Sequence, residues 1–403
     1  MDMKLGYFTR TISMIAVLIA LAISLESCSG SRKPTPASDI YPQGTKLLFS
    51  AYTLREPQLS EAKANGFTAI GPYYRRDKSR AVNFAERAGL PLIYSIGPKI
   101  DFAGTKIESD AEALEKIARE VNEVSKIEDI AIWNLGNEEL RHWRTREMDW
   151  LKKVTAVIRA NDPYDRPIMM YEPNHRNSEQ LEITGRYLDL VTKGTYVNYV
   201  GMKSSRSWIR WSMEQSVNAA QQTGGTPIAV LWMARDQESA ADIAAIQAWV
   251  RHDVYLSLMS GAKGIIVFSA FNRRKGFRQH FTDFFEAYAQ TARELNVTLN
   301  LGQLFLYGDS VGDIRIEVSD GPTMQSFTYQ GETHSYPSIH SLHIIFEQQH
   351  YLFMVNSANQ PVTAMISGHP VDAQPYDVFS GAPTALGGRL LLEALEVKAI
   401  RWR

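Results

Sequence analysis

The stretch Trp133-Asn134-Leu135-Gly136-Asn137-Glu138 sets a carboxyl and two amides directly behind a run of apolar residues. A carboxyl held among apolar neighbours keeps its proton to higher pH and can pass it to a leaving group. Glu139 follows at once and is expected to point elsewhere, in a structural role. Three other carboxyls are candidates to act with it. Glu172 stands in Tyr171-Glu172-Pro173-Asn174-His175, while Asp236 and Glu238 stand in Ala234-Arg235-Asp236-Gln237-Glu238. Glu172 and Asp236 rank level, with Glu238 behind. The plainer alternative is that Asn137 and Glu138 only cap the following helix, where Asn and an early Glu are favoured. Other chemistries have less support. The histidines lack the spaced partners of a metal site, and there is one cysteine, Cys28. No lysine has a context that marks it for a Schiff base, Lys193 being the nearest candidate. No metal and no cofactor are expected.

These residues must be positioned by regular elements, and the chain supplies them. Short, near-continuously apolar runs fall at 46–52, 67–74, 90–97, 130–136, 166–172, 188–194, 226–233 and 262–271. Runs of that kind suit parallel strands buried on both faces. Helical stretches separate them; in one, Met148, Leu151, Val154 and Ile158 form a helix-period stripe. The alternation predicts an α/β fold, a (β/α)8 barrel over 41–298, and no glycine-rich dinucleotide loop follows the first run to favour a doubly wound sheet. From 299 to 403 the pattern changes to short, partly alternating segments divided by Gly, Pro, Asn and Asp. That predicts a small antiparallel β-sandwich after the barrel.

In a barrel the reactive groups stand where strands end and loops begin. An Asn beside a Glu at the end of the fourth strand resembles the acid/base signature of the clan of glycoside hydrolases built on (β/α)8 barrels. The resemblance extends to Asp162-Pro163 and Arg166-Pro167 before strand five, to Gly261-Ala262-Lys263-Gly264 before strand eight, and to Phe268-Ser269 at its end. It implies a carbohydrate substrate, Glu138 as general acid/base and Asn137 as the partner of the sugar hydroxyl beside the reacting carbon. Retaining members of that clan carry a nucleophilic Glu at the end of strand seven. Here Ile228-Ala229-Val230-Leu231-Trp232-Met233 contains no acid, so a glycan-binding protein without turnover is the alternative.

Aromatic residues gather at the expected strand ends: Tyr52, Tyr73, Tyr74, Trp143, Tyr196, Tyr199, Trp208, Trp211, Trp232 and Phe271. Flat rings suit the apolar faces of sugars, although core packing is the commoner fate of any one aromatic. Tyr74, Tyr196 and Trp232 are candidate sugar contacts, while Trp208 and Trp211, expected in a polar loop with Arg206 and Arg210, are divided evenly between cleft and core. His175 and Asn174 form a candidate hydroxyl-binding pair. The charge total is nearly balanced, 43 Lys+Arg against 44 Asp+Glu, which argues against nucleic acid as a partner. Within that balance, basic residues cluster beyond the strands: Arg75-Arg76, Arg141 and Arg144, Lys203, Arg206 and Arg210, and Arg273-Arg274-Lys275 with Arg278. Arginine suits planar anions, so Arg210 and Arg273 are candidate contacts to an acidic or sulfated saccharide.

The N-terminus carries Lys4 and Arg10, then an apolar run from Ile12 to Leu25, too short for a comfortable membrane span of about 20 residues. Leu25-Glu26-Ser27-Cys28 resembles the lipobox of bacterial lipoproteins, with Glu26 departing from the small residue usual there. The resemblance implies residues 1–28 as signal with Cys28 as lipid anchor, and Ser29 permits sorting to an outer membrane. Residues 29–40 are small, polar and Pro-bearing, as befits a tether.

Overall fold

A computed structural model describes residues 46–74, 77–97, 110–127, 129–136, 140–197, 205–233, 244–269, 281–312, 314–370 and 373–403. The signal (1–28), the anchor Cys28 and the tether (29–40) lie outside them.

Seven parallel strands pair in the order Leu48–Ala51, Gly264–Phe268, Thr226–Trp232, Leu190–Gly194, Ile168–Glu172, Ile130–Leu135, Leu92–Ile96. The remaining gap is filled by residues 68–70. The Thr68 amide donates to the Phe49 carbonyl, the Ile70 amide to Pro91, and the Ile93 amide back to Ile70. Ile70 thereby bridges Leu92 in parallel and takes the second place of an eight-stranded barrel. In that count Ile130–Leu135 is strand four, Ile168–Glu172 five, Leu190–Gly194 six, Thr226–Trp232 seven and Gly264–Phe268 eight. Gly71 makes the tight closure feasible: its φ is +94°, and a Cβ there would come within 2.7 Å of the Ile93 carbonyl. Seven of the eight expected runs therefore supply strands, and the run at 67–74 supplies the bridging segment 68–70.

Side chains alternate across this wall as strand geometry demands. Leu48, Ile93, Ile132, Met169, Leu190, Ile228, Val230 and Ile266 fill the lumen. Their neighbours Phe49, Trp133, Met170, Ala229, Leu231, Ile265 and Val267 face the helices. The Asp162-to-Pro167 turn is a brace on that outer side. Asp162 accepts from the Trp133 indole at 2.8 Å and from Arg166, whose Nη2 also donates to the Ser125 and Ile127 carbonyls.

Beyond the barrel, helix Gly302–Tyr307 stays packed on barrel residues, and the sheets begin at Asp309–Val311. A five-stranded and a three-stranded antiparallel sheet share a core of Leu352, Met354, Ile400 and Trp402 against Val362, Ala364 and Leu392. The alternate residues of the larger sheet, Phe353, Val355, Val397 and Ala399, join the barrel's outer core. Tyr255 of helix Ile246–Met259 stacks on Phe353 with centroids 6.3 Å apart. Because that sheet is buried on both faces, the sandwich and the barrel form one compact unit. A separate hairpin, Met324–Tyr329 with Glu332–Pro337, reaches over helix Ser207–Thr223.

Candidate active site at the barrel mouth

The C-terminal ends of the strands form an aromatic collar. Tyr196, following strand six, stacks with Tyr171 (6.0 Å), Trp232 (5.4 Å) and Phe268 (6.0 Å), and Phe268 meets Tyr52 edge-on at 5.2 Å. Gly194 lets Tyr171 lie across strand six, since a Cβ there would stand 3.1 Å from the Tyr171 Cζ. Tyr171, Trp232 and Phe268 remain half-buried. Beneath the collar is a polar layer. The Ser50 hydroxyl donates to the Gly71 carbonyl at 2.8 Å, and the Asn134 amide donates to the Ser95 hydroxyl at 3.0 Å. The Asn134 Oδ1 is buried without a hydrogen-bond partner among the described residues, an uncommon state for an amide oxygen.

Asn174 fixes this collar from behind. Its Nδ2 donates to the Tyr196 carbonyl and its Oδ1 accepts the Tyr196 amide, both at 3.0 Å, while the Trp208 indole donates to the same Oδ1 at 3.1 Å. With the side chain committed to these bonds, Asn174 does not serve as a hydroxyl-binding partner of His175. His175 itself is exposed, and its carbonyl accepts the Tyr329 hydroxyl from the hairpin.

Glu172 meets a different fate from its neighbour Tyr171. Strand five turns Met169 and Tyr171 inward, so Met170 and Glu172 point to the helices. There Glu172 is 1% exposed and paired with Arg176, which also donates to the Leu140 carbonyl. Lys193, likewise on the outer side of strand six, is fully buried and donates to the Asn174 carbonyl and the Ser212 hydroxyl at 2.6 and 3.1 Å. Burial raises the Glu172 carboxyl, against the pull of Arg176, and burial holds the Lys193 ammonium well below its ordinary value. This corrects the expectation of Glu172 as the second catalytic carboxyl: it neutralises a dry pocket in the helical layer.

Two further expectations are corrected. Trp208 and Trp211 lie in helix Ser207–Thr223, not in a loop, and Trp208 is 0% exposed. Both stack together at 4.6 Å under Tyr329 of the hairpin, so Trp208 has no face to offer a sugar. Arg210 pairs with Glu214 at 2.9 Å and lies over the Tyr336 ring. Arg206 grips Asp253 with two hydrogen bonds, and Arg141 and Arg144 both turn to Glu147. These arginines, expected from the sequence to form part of a mouth cluster, are engaged within the protein.

Tyr196 and Trp232 stand in the collar, and Tyr74 is half-buried in the loop after 68–70. Asn137, Glu138, Asp236, Glu238 and Arg273 lie outside the described residues. So do Glu139, Tyr199, Lys203 and Phe271, the pair Arg75-Arg76, and the rest of the basic group at 274–278. The sequence pattern does not mark Tyr171, Phe268 and Ser95 as mouth residues; their two-residue offset from Met169, Ile266 and Ile93 is the signal that places them there. A wide groove borders the described strand ends off the lumen, between helices Glu56–Ala64 and Lys78–Ala88.

No family model matches the sequence, and no curated protein matches it. Among solved structures, a catalytic mutant of a GH42 beta-galactosidase from G. stearothermophilus superposes with a TM-score of 0.58 at 8% identity, covering 92% of this chain and 100% of that one. A noncanonic maltogenic alpha-amylase from Thermotoga neapolitana gives 0.51 at 13% identity, covering 88% and 98%. An alpha-amylase from Geobacillus thermoleovorans, complexed with acarbose, gives 0.50 at 11% identity, covering 89% and 98%. At such identities the likeness establishes the fold: a (β/α)8 barrel carrying a C-terminal β-domain.

Proposed function

We propose that this protein is a glycoside hydrolase acting on a poly- or oligosaccharide, with Glu138 as its general acid/base. One observation carries the reading. Strand four turns Ile132 and Asn134 into the lumen, and Glu138 follows Asn134 by four residues on the same chain. The solved structures of similar fold named above, a beta-galactosidase and two amylases, support the same reaction class. In this mechanism the Glu138 carboxyl gives its proton to the glycosidic oxygen as the bond to the anomeric carbon breaks. The Asn137 amide holds the neighbouring sugar hydroxyl, and the collar of Tyr171, Tyr196, Trp232 and Phe268 supports the ring. With Glu172 turned outward, Asp236 takes first place as second carboxyl, ahead of Glu238. Replacing Glu138 by Gln, which keeps size and removes the acid, is expected to cut turnover at least about a hundredfold without loss of fold. Unchanged turnover would overturn the assignment.

A second reading is favoured by a specific observation: the inward positions of strand seven, Ile228, Val230 and Trp232, carry no carboxylate. On that reading the protein is a surface glycan binder without turnover. The native chain would then bind saccharide as tightly as the Glu138→Gln variant and would release no product. We place the protein outside the cytoplasm, lipid-anchored through Cys28 and sorted to an outer membrane. Cys28→Ser is expected to move it from the membrane fraction to the soluble one; retention there would exclude that anchor.

A further inference from the structure

The groove between the first two helices of the barrel has the make-up of a second saccharide site. It starts at the rim, where Thr53 and Leu54 follow strand one and Tyr73 follows residues 68–70, and it encloses about 740 Å³. Its floor is apolar and cross-tied. The Thr53 amide donates to the Pro72 carbonyl at 3.0 Å, the Tyr73 hydroxyl donates to the Leu54 carbonyl at 2.6 Å, and the Tyr73 and Phe84 rings meet at 6.2 Å. Its walls are planar and polar: Arg55, Arg80, Asn83 and Arg87, all exposed. Glu56 and Asp77 also border it, and Glu56 is taken up by Arg87. Among the described residues no carboxylate pairs with Arg55 or Arg80. Both helices begin at the upper end of the groove, so their N-terminal amides add positive potential to that of the two guanidiniums. An apolar floor under a rim of forked donors fits a sugar ring that carries a carboxylate or sulfate.

We propose that this groove binds anionic sugar units, uronates or sulfate esters, of a glycan chain whose other end reaches the barrel mouth. The proposal rests on the glycan reading above and adds the substrate class and the place where its charge is recognised. It also relocates the charge recognition, from Arg206 and Arg210, which are paired, to Arg55 and Arg80, which pair with no carboxylate among the described residues.

The test is calorimetric titration of the full-length Glu138→Gln protein with uronate-bearing and sulfated oligosaccharides, each matched to its methyl-esterified or desulfated counterpart. Tighter binding of an acidic member than of its neutral counterpart is expected, weakening as salt is raised. Arg55→Ala with Arg80→Ala is expected to weaken that binding about tenfold or more, with Arg55→Lys and Arg80→Lys losing less and thermal melting unchanged. Equal binding of acidic and neutral members, or no effect of the double alanine variant, would overturn the proposal. Turnover of a neutral oligosaccharide by the protein with native Glu138 separates the two claims. Cleavage with no charge preference would remove the groove and keep the hydrolase, whereas charge-dependent binding without any cleavage would keep the groove and remove the hydrolase.

Discussion

Tyr171 and Glu172 are adjacent in the chain and stand on opposite sides of the same wall. Inward lies a collar of rings, half-exposed and backed by a single amide, Asn174. Outward lies a buried nest of charges: Glu172 pairs with Arg176, Arg176 donates to the Leu140 carbonyl, and Lys193 donates to the Asn174 carbonyl and the Ser212 hydroxyl. The contrast separates two uses of polar chemistry in a barrel. A charge buried among helices serves stability and is paired with its counterion in place, even though Glu172 Oε1 and Arg176 Nε keep no hydrogen-bond partner among the described residues, whereas the rings of the mouth keep exposed surface.

The largest effect that would test this contrast is on the outer side. Glu172→Ala leaves Arg176 and Lys193 buried without their anion and is expected to cost about 3–5 kcal/mol in chemical denaturation. A loss below about 1 kcal/mol would mean that water reaches the nest and that the wall does not divide the two regions. On the inner side, Trp232→Ala is expected to cost about 2 kcal/mol of stability, less than a fully buried aromatic, while weakening saccharide binding roughly tenfold. If stability fell as far as in Glu172→Ala with binding intact, the collar would be core and not contact surface. The last effect, absent at neutral pH, concerns the strand Ile339–Phe346 of the β-domain. His340, beside Arg210, is held down to about 4 from its ordinary 6.5, by burial first and by the Arg210 charge second. The unfolded chain takes up a proton as pH falls below 6.5, while the folded His340 resists until about 4. Stability from this group is therefore complete above 6.5 and lost progressively down to about 4. His340→Gln is expected to reduce that acid-side loss by up to about 3 kcal/mol at pH 4 and by nothing above 6.5, read from denaturation curves at successive pH values.

The eight strands were legible because apolar runs of this length, spaced by helical stretches, have few other ways to be buried. The direction of Glu172 was not. A strand buried on both faces shows no two-residue alternation in hydrophobicity, so Met169-Met170-Tyr171-Glu172 does not disclose which members face the lumen. Nor were the partners of the arginines. Glu214, four residues from Arg210 on one helix, was within reach of a local reading, but Asp253 lies 47 residues from Arg206 and meets it only through folding. Trp208 and Trp211 could be read as cleft or core because they sit beside arginines; the hairpin that covers them comes from the β-domain, far later in the chain.

The sequence by itself determined the barrel, the β-domain behind it and the strand-four stretch on which the acid/base reading depends. Those follow from local pattern, which each segment carries alone. Only the tertiary structure decided which charges are neutralised and which remain open. A guanidinium is neutralised by whatever carboxylate packing brings to it, and that depends on contacts between segments remote in sequence. Hence Arg206 and Arg210, paired with carboxylates, drop out of the expected anion-binding set, and Arg55 and Arg80, undistinguished in the sequence, are the ones proposed in their place.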